Sequence, residues 1–321
     1  MSPSEPHRTS NAILLMAYGT PAGPDDIAPY YTHIRGGRTP SPEKVAELTA
    51  RYEAIGGLSP LLEITRTVAD ALRAASGVPV YVGMKHWHPF IDATVERMHA
   101  DGVTGGAGIV LAPHYSRISV GAYIKTAKET IGRLGGPQLR FVEWWHLHPL
   151  FITALAGRVR AALARLDASR GAQAPKAHVP KAHVVFTAHS LPKRIAEFQD
   201  PYPLQLVESA KAVAQAAGVT RWSFAFQSAS ATGEAWLGPD VLDALRDLRT
   251  KDVHDVAVCP IGFVADHLEV LYDLDVEARR LANELGMRLV RTESLNASPE
   301  FVAVLAAIAR DALETTAPPS A

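Results

Sequence analysis

At 321 residues, 47% hydrophobic and 20% charged, the chain is long enough for two α/β cores and has the balance of a folded globular protein. Thirty-two Lys and Arg stand against 33 Asp and Glu, so no whole-protein field for nucleic acid or an anionic membrane is indicated. The single cysteine, Cys259, excludes an internal disulfide and any cysteine-held zinc or iron–sulfur centre within one chain.

In chain order, residues 1–10 (MSPSEPHRTS) read as a disordered start without the apolar core of a secretory signal. AILLMAYG (12–19), VPVYVGMK (78–85), AGIVLAPHY (107–115) and LRFVEWW (139–145) read as a first set of strands. HVVFTAH (183–189), RWSFAFQS (221–228), VAVCPIG (256–262) and MRLVR (287–291) read as a second. The apolar runs are continuous rather than alternating, as in parallel strands covered on both faces. Between them SPEKVAELTARYEAI, PFIDATVERMHADG and GPDVLDALRDLRT have helical patterns with Pro or Ser near their starts. No stretch reaches the length of about 18 apolar residues that a membrane span needs.

Strand–helix alternation predicts an α/β protein of two similar domains with parallel sheets, over 11–150 and 151–314, with a disordered tail at 315–321. Residues 83–116 and 229–263 support the likeness, each running loop, helix, short turn and a strand ending before a proline. RGAQAPKAHVPKAHV reads as a surface insertion ahead of the fifth strand. A cytoplasmic monomer is expected.

Three stretches carry chemistry. In VVFTAHSLPKR a strand delivers His189 to its carboxyl end and breaks at once, where open α/β sheets bind ligands. Tyr18, Lys85, His86 and His114 close other strands in the same way. In DHLEVLYDLDVEARRL, Glu269, Asp273 and Glu277 recur every four residues; on an α-helix they sit about 6 Å apart along one face and drift about 40° each time. A solvated acidic face is the plain alternative. With few basic partners in view, a row of carboxylates suits a path for a divalent cation better than a closed cage. In YYTHIRGGRTP and RYEAIGGLSPLLEIT, Tyr31, Arg35, Arg38, Arg51, Tyr52 and Ser59 supply forks and hydroxyls for a flat ligand bearing carboxylates.

These residues resemble those of the ferrochelatase family, whose members insert ferrous iron into a porphyrin. FTAHSLPKRIAEFQDPYP resembles the segment around the active-site histidine, and GFVADHLEVLYDLDVEA the segment with the glutamate and its acidic row. MAYGTP, IRGGR, RYEAIGGLSPL, GMKHWHPF and LAPHYS are similar to the branch of Gram-positive bacteria that converts coproporphyrin III to coproheme in haem biosynthesis. The resemblance implies two Rossmann-like, chelatase-type domains with a porphyrin cleft between them. It puts His189 and Glu269 on one side of the macrocycle, Tyr18 on the other, and Arg35, Arg51, Tyr52, Ser59 and Tyr123 on the propionates. His189, Glu269, Asp273, Glu277 and Tyr18 are the expected metal contacts. His189 is expected to accept a pyrrole proton, a role as first metal ligand being the alternative. His88 stands where an acidic residue is common. Iron and porphyrin are the expected partners as substrates, with no tightly bound cofactor, no iron–sulfur cluster and transient contact with neighbouring enzymes of the pathway. The competing readings are a protoporphyrin IX ferrochelatase, a sirohydrochlorin or cobalt chelatase, and a non-catalytic porphyrin or haem carrier.

Overall fold

The computed structural model describes residues 11–168, 182–229 and 233–314. The two termini, and most of the predicted insertion with its tandem APKAH and VPKAH, lie outside the described residues.

In chain order the elements are β1 (Asn11–Ala17), α1 (Ile27–Ile34), α2 (Pro42–Ala54), α3 (Leu61–Ser76), β2 (Val80–Met84), α4 (Ile91–Ala100), β3 (Gly105–Val110), α5 (Val120–Leu134), β4 (Gln138–Val142) and α6 (Pro149–Ala168). There follow β5 (His183–His189), α7 (Tyr202–Ala217), β6 (Trp222–Gln227), α8 (Val241–Thr250), β7 (Asp255–Cys259), α9 (Leu268–Val270), a π-helical segment (Leu271–Ala278), α10 (Arg279–Glu284), β8 (Arg288–Arg291) and α11 (Pro299–Glu314).

The chain forms two compact units, and neither is a single stretch. Unit 1 takes Met1–Pro40, Leu61–Trp145 and Ala297–Ala321, and unit 2 takes Ser41–Pro60 and His146–Asn296. The fall from one to the other at 145/146 lies close to the boundary expected near 150, but α2 and α11 each belong to the unit that holds the other half of the chain. A helical pattern shows which face is apolar and not which sheet that face will cover.

Unit 1 is a parallel sheet in the order β2-β1-β3-β4. Leu15 of β1 lies opposite Val82 on one side and Ile109 on the other. Side chains alternate across the pleat, so Ala12, Leu14 and Met16 pack with Ile91, Val95, Ile124 and Ala127 of α4 and α5. The outer edge of β2 is closed to further pairing, because Arg73 donates to the Val80 carbonyl (3.3 Å) and Thr94 to the Val82 carbonyl (2.9 Å).

Unit 2 repeats the plan with β6-β5-β7-β8, again all parallel. Val185, Val256 and Val258 pack with Val241, Leu245 and Leu248 of α8 and with Val270, Leu274, Ala278 and Ala282 of the run from α9 to α10. The likeness reaches single hydrogen bonds. The Met84 N–H donates to the Pro89 carbonyl at 2.6 Å in unit 1, and the Phe226 N–H to the Pro239 carbonyl at 2.7 Å in unit 2, each just ahead of a helix. The faint correspondence of 83–116 with 229–263 is thus a shared loop–helix–turn–strand unit, α4 with β3 in one and α8 with β7 in the other.

In this strand order the connections reverse direction beside β1 and beside β5, and the carboxyl ends there are where such sheets take ligands. Tyr18 follows β1, and His189 ends β5.

Candidate active site

β5 is buried from Val184 to Ala188 and half-buried at His189. The strand ends at His189: the Ser190 N–H still follows the ladder to the Gln227 carbonyl (2.7 Å), but the Ser190 hydroxyl turns to the Leu237 carbonyl (2.8 Å) and Pro192 follows. The Tyr202 hydroxyl donates to the His189 carbonyl at 3.0 Å and fixes the backbone there. His189 Nδ1 hydrogen-bonds to the Ser190 carbonyl. A carbonyl only accepts, so the proton sits on Nδ1, and Nε2 keeps a lone pair for a proton or a metal ion. Trp236 and Phe263 flank the imidazole at ring separations of 6.4 and 6.5 Å. Behind it, a Cβ on Gly262 would lie 2.5 Å from the Ala188 Cβ, so only glycine lets the turn after β7 lie flush against the end of β5.

The acidic row departs from the expected uniform α-helix. It begins on α9 at Glu269 and continues on the π segment through Asp273 and Glu277. With i→i+5 bonding, a turn takes in more than four residues, so side chains four apart fall short of a full turn instead of passing it. The drift along the row therefore runs opposite to that of an α-helix.

The row is tied to the histidine strand by a buried relay. The Thr187 hydroxyl donates to Gln227 Oε1 (2.8 Å), and Gln227 Nε2 donates to the Glu269 carbonyl (3.0 Å); Thr187 and Gln227 are both fully buried. His267 Nδ1 donates to the Ala265 carbonyl (2.8 Å), which leaves Nε2 facing Glu269 Oε2 at 3.2 Å.

Asp273 is 5% exposed and accepts a hydrogen bond from the Ser228 hydroxyl. Arg51 Nη1 lies 3.8 Å from its Oδ1, and the guanidinium sits 4.9 Å over the Tyr272 ring. The row therefore has a basic partner, one hidden from its own stretch of sequence because Arg51 comes from α2. Burial nonetheless pushes the Asp273 carboxyl up to about 7, the charges of Glu269 and Glu277 adding to it while Ser228 and Arg51 oppose it. Below about pH 7 the folded state thus favours the neutral form. Stability from this group is complete below the unfolded value near 4 and is lost as pH rises through about 7, at about 1.4 kcal/mol per pH unit. Asp273→Asn is expected to melt progressively higher than the wild type from pH 5 to 8 in the presence of a chelator. A difference in melting temperature that does not change with pH would remove this assignment.

Among the described residues, no group of three or more His, Cys, Asp or Glu converges to hold a metal ion.

In unit 1, the Tyr18 ring lies 4.6 Å from that of His86, tilted by 53°, and the His86 backbone N–H donates to the Tyr18 carbonyl (2.9 Å). Gly19 follows with φ +97°, and a Cβ there would meet the Trp87 nitrogen at 2.8 Å. Burial, then the Lys85 and His33 charges, drives His86 down to about 3, so it is neutral at physiological pH. Its Nδ1 lies 3.2 Å from His33 Nδ1. Burial also lowers Lys85 to about 8, with its ammonium 4.9 Å over the Tyr123 ring. Tyr123 is buried on α5, and Arg35 is exposed after α1, 5.8 Å over Tyr31. In unit 2, Tyr52 is 1% and Ser59 8% exposed. His88 packs on Phe90 at 4.4 Å.

Four contributors escape a reading of the sequence: His267, Gln227, Ser228 and the pairing of Arg51 with Asp273. The first has a signal, a histidine two residues before the glutamate in the acidic segment. Ser228 closes a predicted strand without any mark of its role.

Paired parallel sheets of this order, with an imidazole at a strand end and carboxylates along the neighbouring helix, define a chelatase-type protein. The fold is similar to that of the sirohydrochlorin chelatase of Bacillus subtilis subspecies spizizenii solved with cobalt (TM-score 0.55, 11% identity, covering 96% of this chain and 97% of that one). The ferrochelatase family model matches residues 10–313. The chain belongs to the ferrochelatase family. It is 46% identical over 304 residues to a coproporphyrin III ferrochelatase of Halalkalibacterium halodurans, covering 92% of this chain and 95% of that protein. It is 45% identical over 309 residues to a coproporphyrin III ferrochelatase of Bacillus subtilis (94% and 97%) and 44% identical over 301 residues to a ferrochelatase of Herpetosiphon aurantiacus (92% and 96%). No described helix is long and apolar enough to cross a membrane.

Proposed function

We propose that the chain is a lyase that inserts Fe²⁺ into coproporphyrin III to give coproheme, releasing the two pyrrole protons. The observation that carries this reading is His189 held with its proton on Nδ1 and its Nε2 lone pair available, at the end of a strand that Thr187 and Gln227 tie to the backbone of the glutamate that begins the acidic row.

Metallation must remove two N–H protons, bend the ring so that its lone pairs leave the plane, and strip water from the ion. His189 Nε2 takes a pyrrole proton, and Glu269 with His267 offers a second acceptor. Asp273 and Glu277 exchange the waters of the ion for carboxylate oxygens in steps, weakly enough to let it go. Arg35, Arg51, Tyr52, Ser59 and Tyr123 anchor the propionates, and that remote binding energy offsets the cost of bending the ring. Tyr18 supplies a phenol oxygen to the iron of the product.

Four propionates on coproporphyrin III against two on protoporphyrin IX make the arginines the basis of selection. Anaerobic Fe²⁺ insertion, followed by absorbance with both porphyrins side by side, is expected to favour coproporphyrin by at least about tenfold in kcat/KM, the value of one good charged anchor. Preference for protoporphyrin would overturn the substrate assignment. Tight binding of either without metallation would make the protein a carrier.

A further inference from the structure

The π segment is an uncommon solution, and Asp275 on its back is held from outside it, by Arg279 of α10 through one bond to Oδ1 (3.2 Å) and by Arg291 through a fork. Arg291, the last residue of β8, is 12% exposed. Its Nε donates to both carboxylate oxygens of Asp275 at 3.0 Å, and Nη2 to Oδ2 at 2.8 Å. Its Nη1 lies 3.1 Å from Asp266 Oδ1 and donates to the Thr292 carbonyl (3.0 Å) and to Ser294 Oγ (3.3 Å). Asp266 is held in turn by the Ser294 hydroxyl (2.7 Å) and by Asn296 Nδ2 (2.9 Å). One planar fork thus joins the residue that leads into the helix to the middle of its π turn.

Asp275 lies between Asp273 and Glu277, two positions from each, and residues two apart on a helix do not face the same way. Arg291 therefore holds the back of the segment while Asp273 meets Ser228 and Arg51 on the other side. A π turn amounts to an extra residue accommodated in an α-helix, and a run that tightens to α rotates its side chains relative to those before it.

We propose that Arg291 is a positioning residue for the acidic row: its fork on Asp275 and Asp266 keeps 271–278 in the π form, and without it Asp273 and Glu277 turn out of line with Glu269. The inference rests on the row serving as a metal path. It requires the shape of the guanidinium and not its charge alone.

The test compares wild type with Arg291→Met, Arg291→Lys and Asp275→Asn, with Ser294→Ala as the mildest variant should the first fail to fold. Circular dichroism establishes folding. KM for Fe²⁺ and KM for coproporphyrin are then measured separately, and Co²⁺ affinity is measured by calorimetry on the porphyrin-free protein. Arg291→Met and Asp275→Asn are expected to raise KM for Fe²⁺ about tenfold and weaken Co²⁺ to match, leaving KM for the porphyrin within about twofold; Ser294→Ala is expected to shift the same two quantities about threefold. Arg291→Lys is expected to recover only part of the loss. Folded variants with unchanged Fe²⁺ and Co²⁺ constants overturn the proposal, as does full recovery by lysine or an equal change in both Michaelis constants. If the wild type inserts no iron, the functional reading falls by itself, and the Co²⁺ affinities still decide whether Arg291 positions the row.

Discussion

His189→Ala is expected to lower kcat for iron insertion about a thousandfold, while the dissociation constant for coproporphyrin stays within about threefold of wild type. The asymmetry follows from how the histidine is held. Its backbone is fixed by Tyr202 and its turn by Ser190, and neither bond uses the imidazole. The Nδ1 proton is spent on the Ser190 carbonyl, so the group lost with the side chain is the Nε2 lone pair. Alanine removes the base and leaves the strand end standing. Stopped-flow absorbance for metallation and fluorescence quenching for binding measure the two quantities independently. Added imidazole, which restores a base without restoring a wall, is expected to recover part of the rate. A parallel loss of porphyrin affinity, unmoved by imidazole, would make His189 a part of the pocket instead of the proton acceptor.

All eight strands among the described residues are legible in the sequence because each is a run of apolar residues cut by a turn. β1 is buried at six successive residues, Ala12 to Ala17, and such a run has no other stable use in a chain of this composition. Even β4, half-exposed at its sheet edge, keeps Phe141 and Val142 as a signal. The exchange of α2 and α11 between units is not legible, because it depends on distant partners: α11 covers β3 and β4, and α2 packs on the π segment. The pattern of α2 is satisfied equally by either unit.

The chemistry divides along the same line. His189 and the acidic row are visible because each stands in a local pattern, a strand that ends abruptly or a four-residue spacing. The π form of 271–278 is not local: Arg291 reaches it from β8, and Gln227, from the end of β6, holds the Glu269 carbonyl just ahead of it. Nothing within LYDLDVEA distinguishes i→i+5 from i→i+4 bonding. The high Asp273 carboxyl is equally invisible, since exposed and buried aspartates read alike in sequence, and the Ser228 hydroxyl that meets it stands more than forty residues away.

Glu269→Gln should be nearly as damaging as loss of the histidine, with kcat for iron insertion down about a hundredfold or more and the fold intact. Glutamine keeps the length and shape of the side chain, and the Gln227 bond goes to the backbone carbonyl of residue 269, so the helix start stays in place. What disappears is a charged oxygen 3.2 Å from His267 Nε2, and with it a proton acceptor and the innermost carboxylate of the row. Glu269→Asp keeps the charge and draws it back by one methylene, away from His267, so an intermediate rate is expected. The double variant His189→Ala/Glu269→Gln separates two ways of working. If imidazole and carboxylate handle one proton between them, the double variant is about as slow as the slower single variant; if each handles its own, the losses multiply. Two protons leave the ring, and Glu269 beside His267 is a second acceptor apart from His189, so we expect the losses to multiply. A Gln variant within about tenfold of the wild-type rate would place the carboxylate outside the path of both proton and metal.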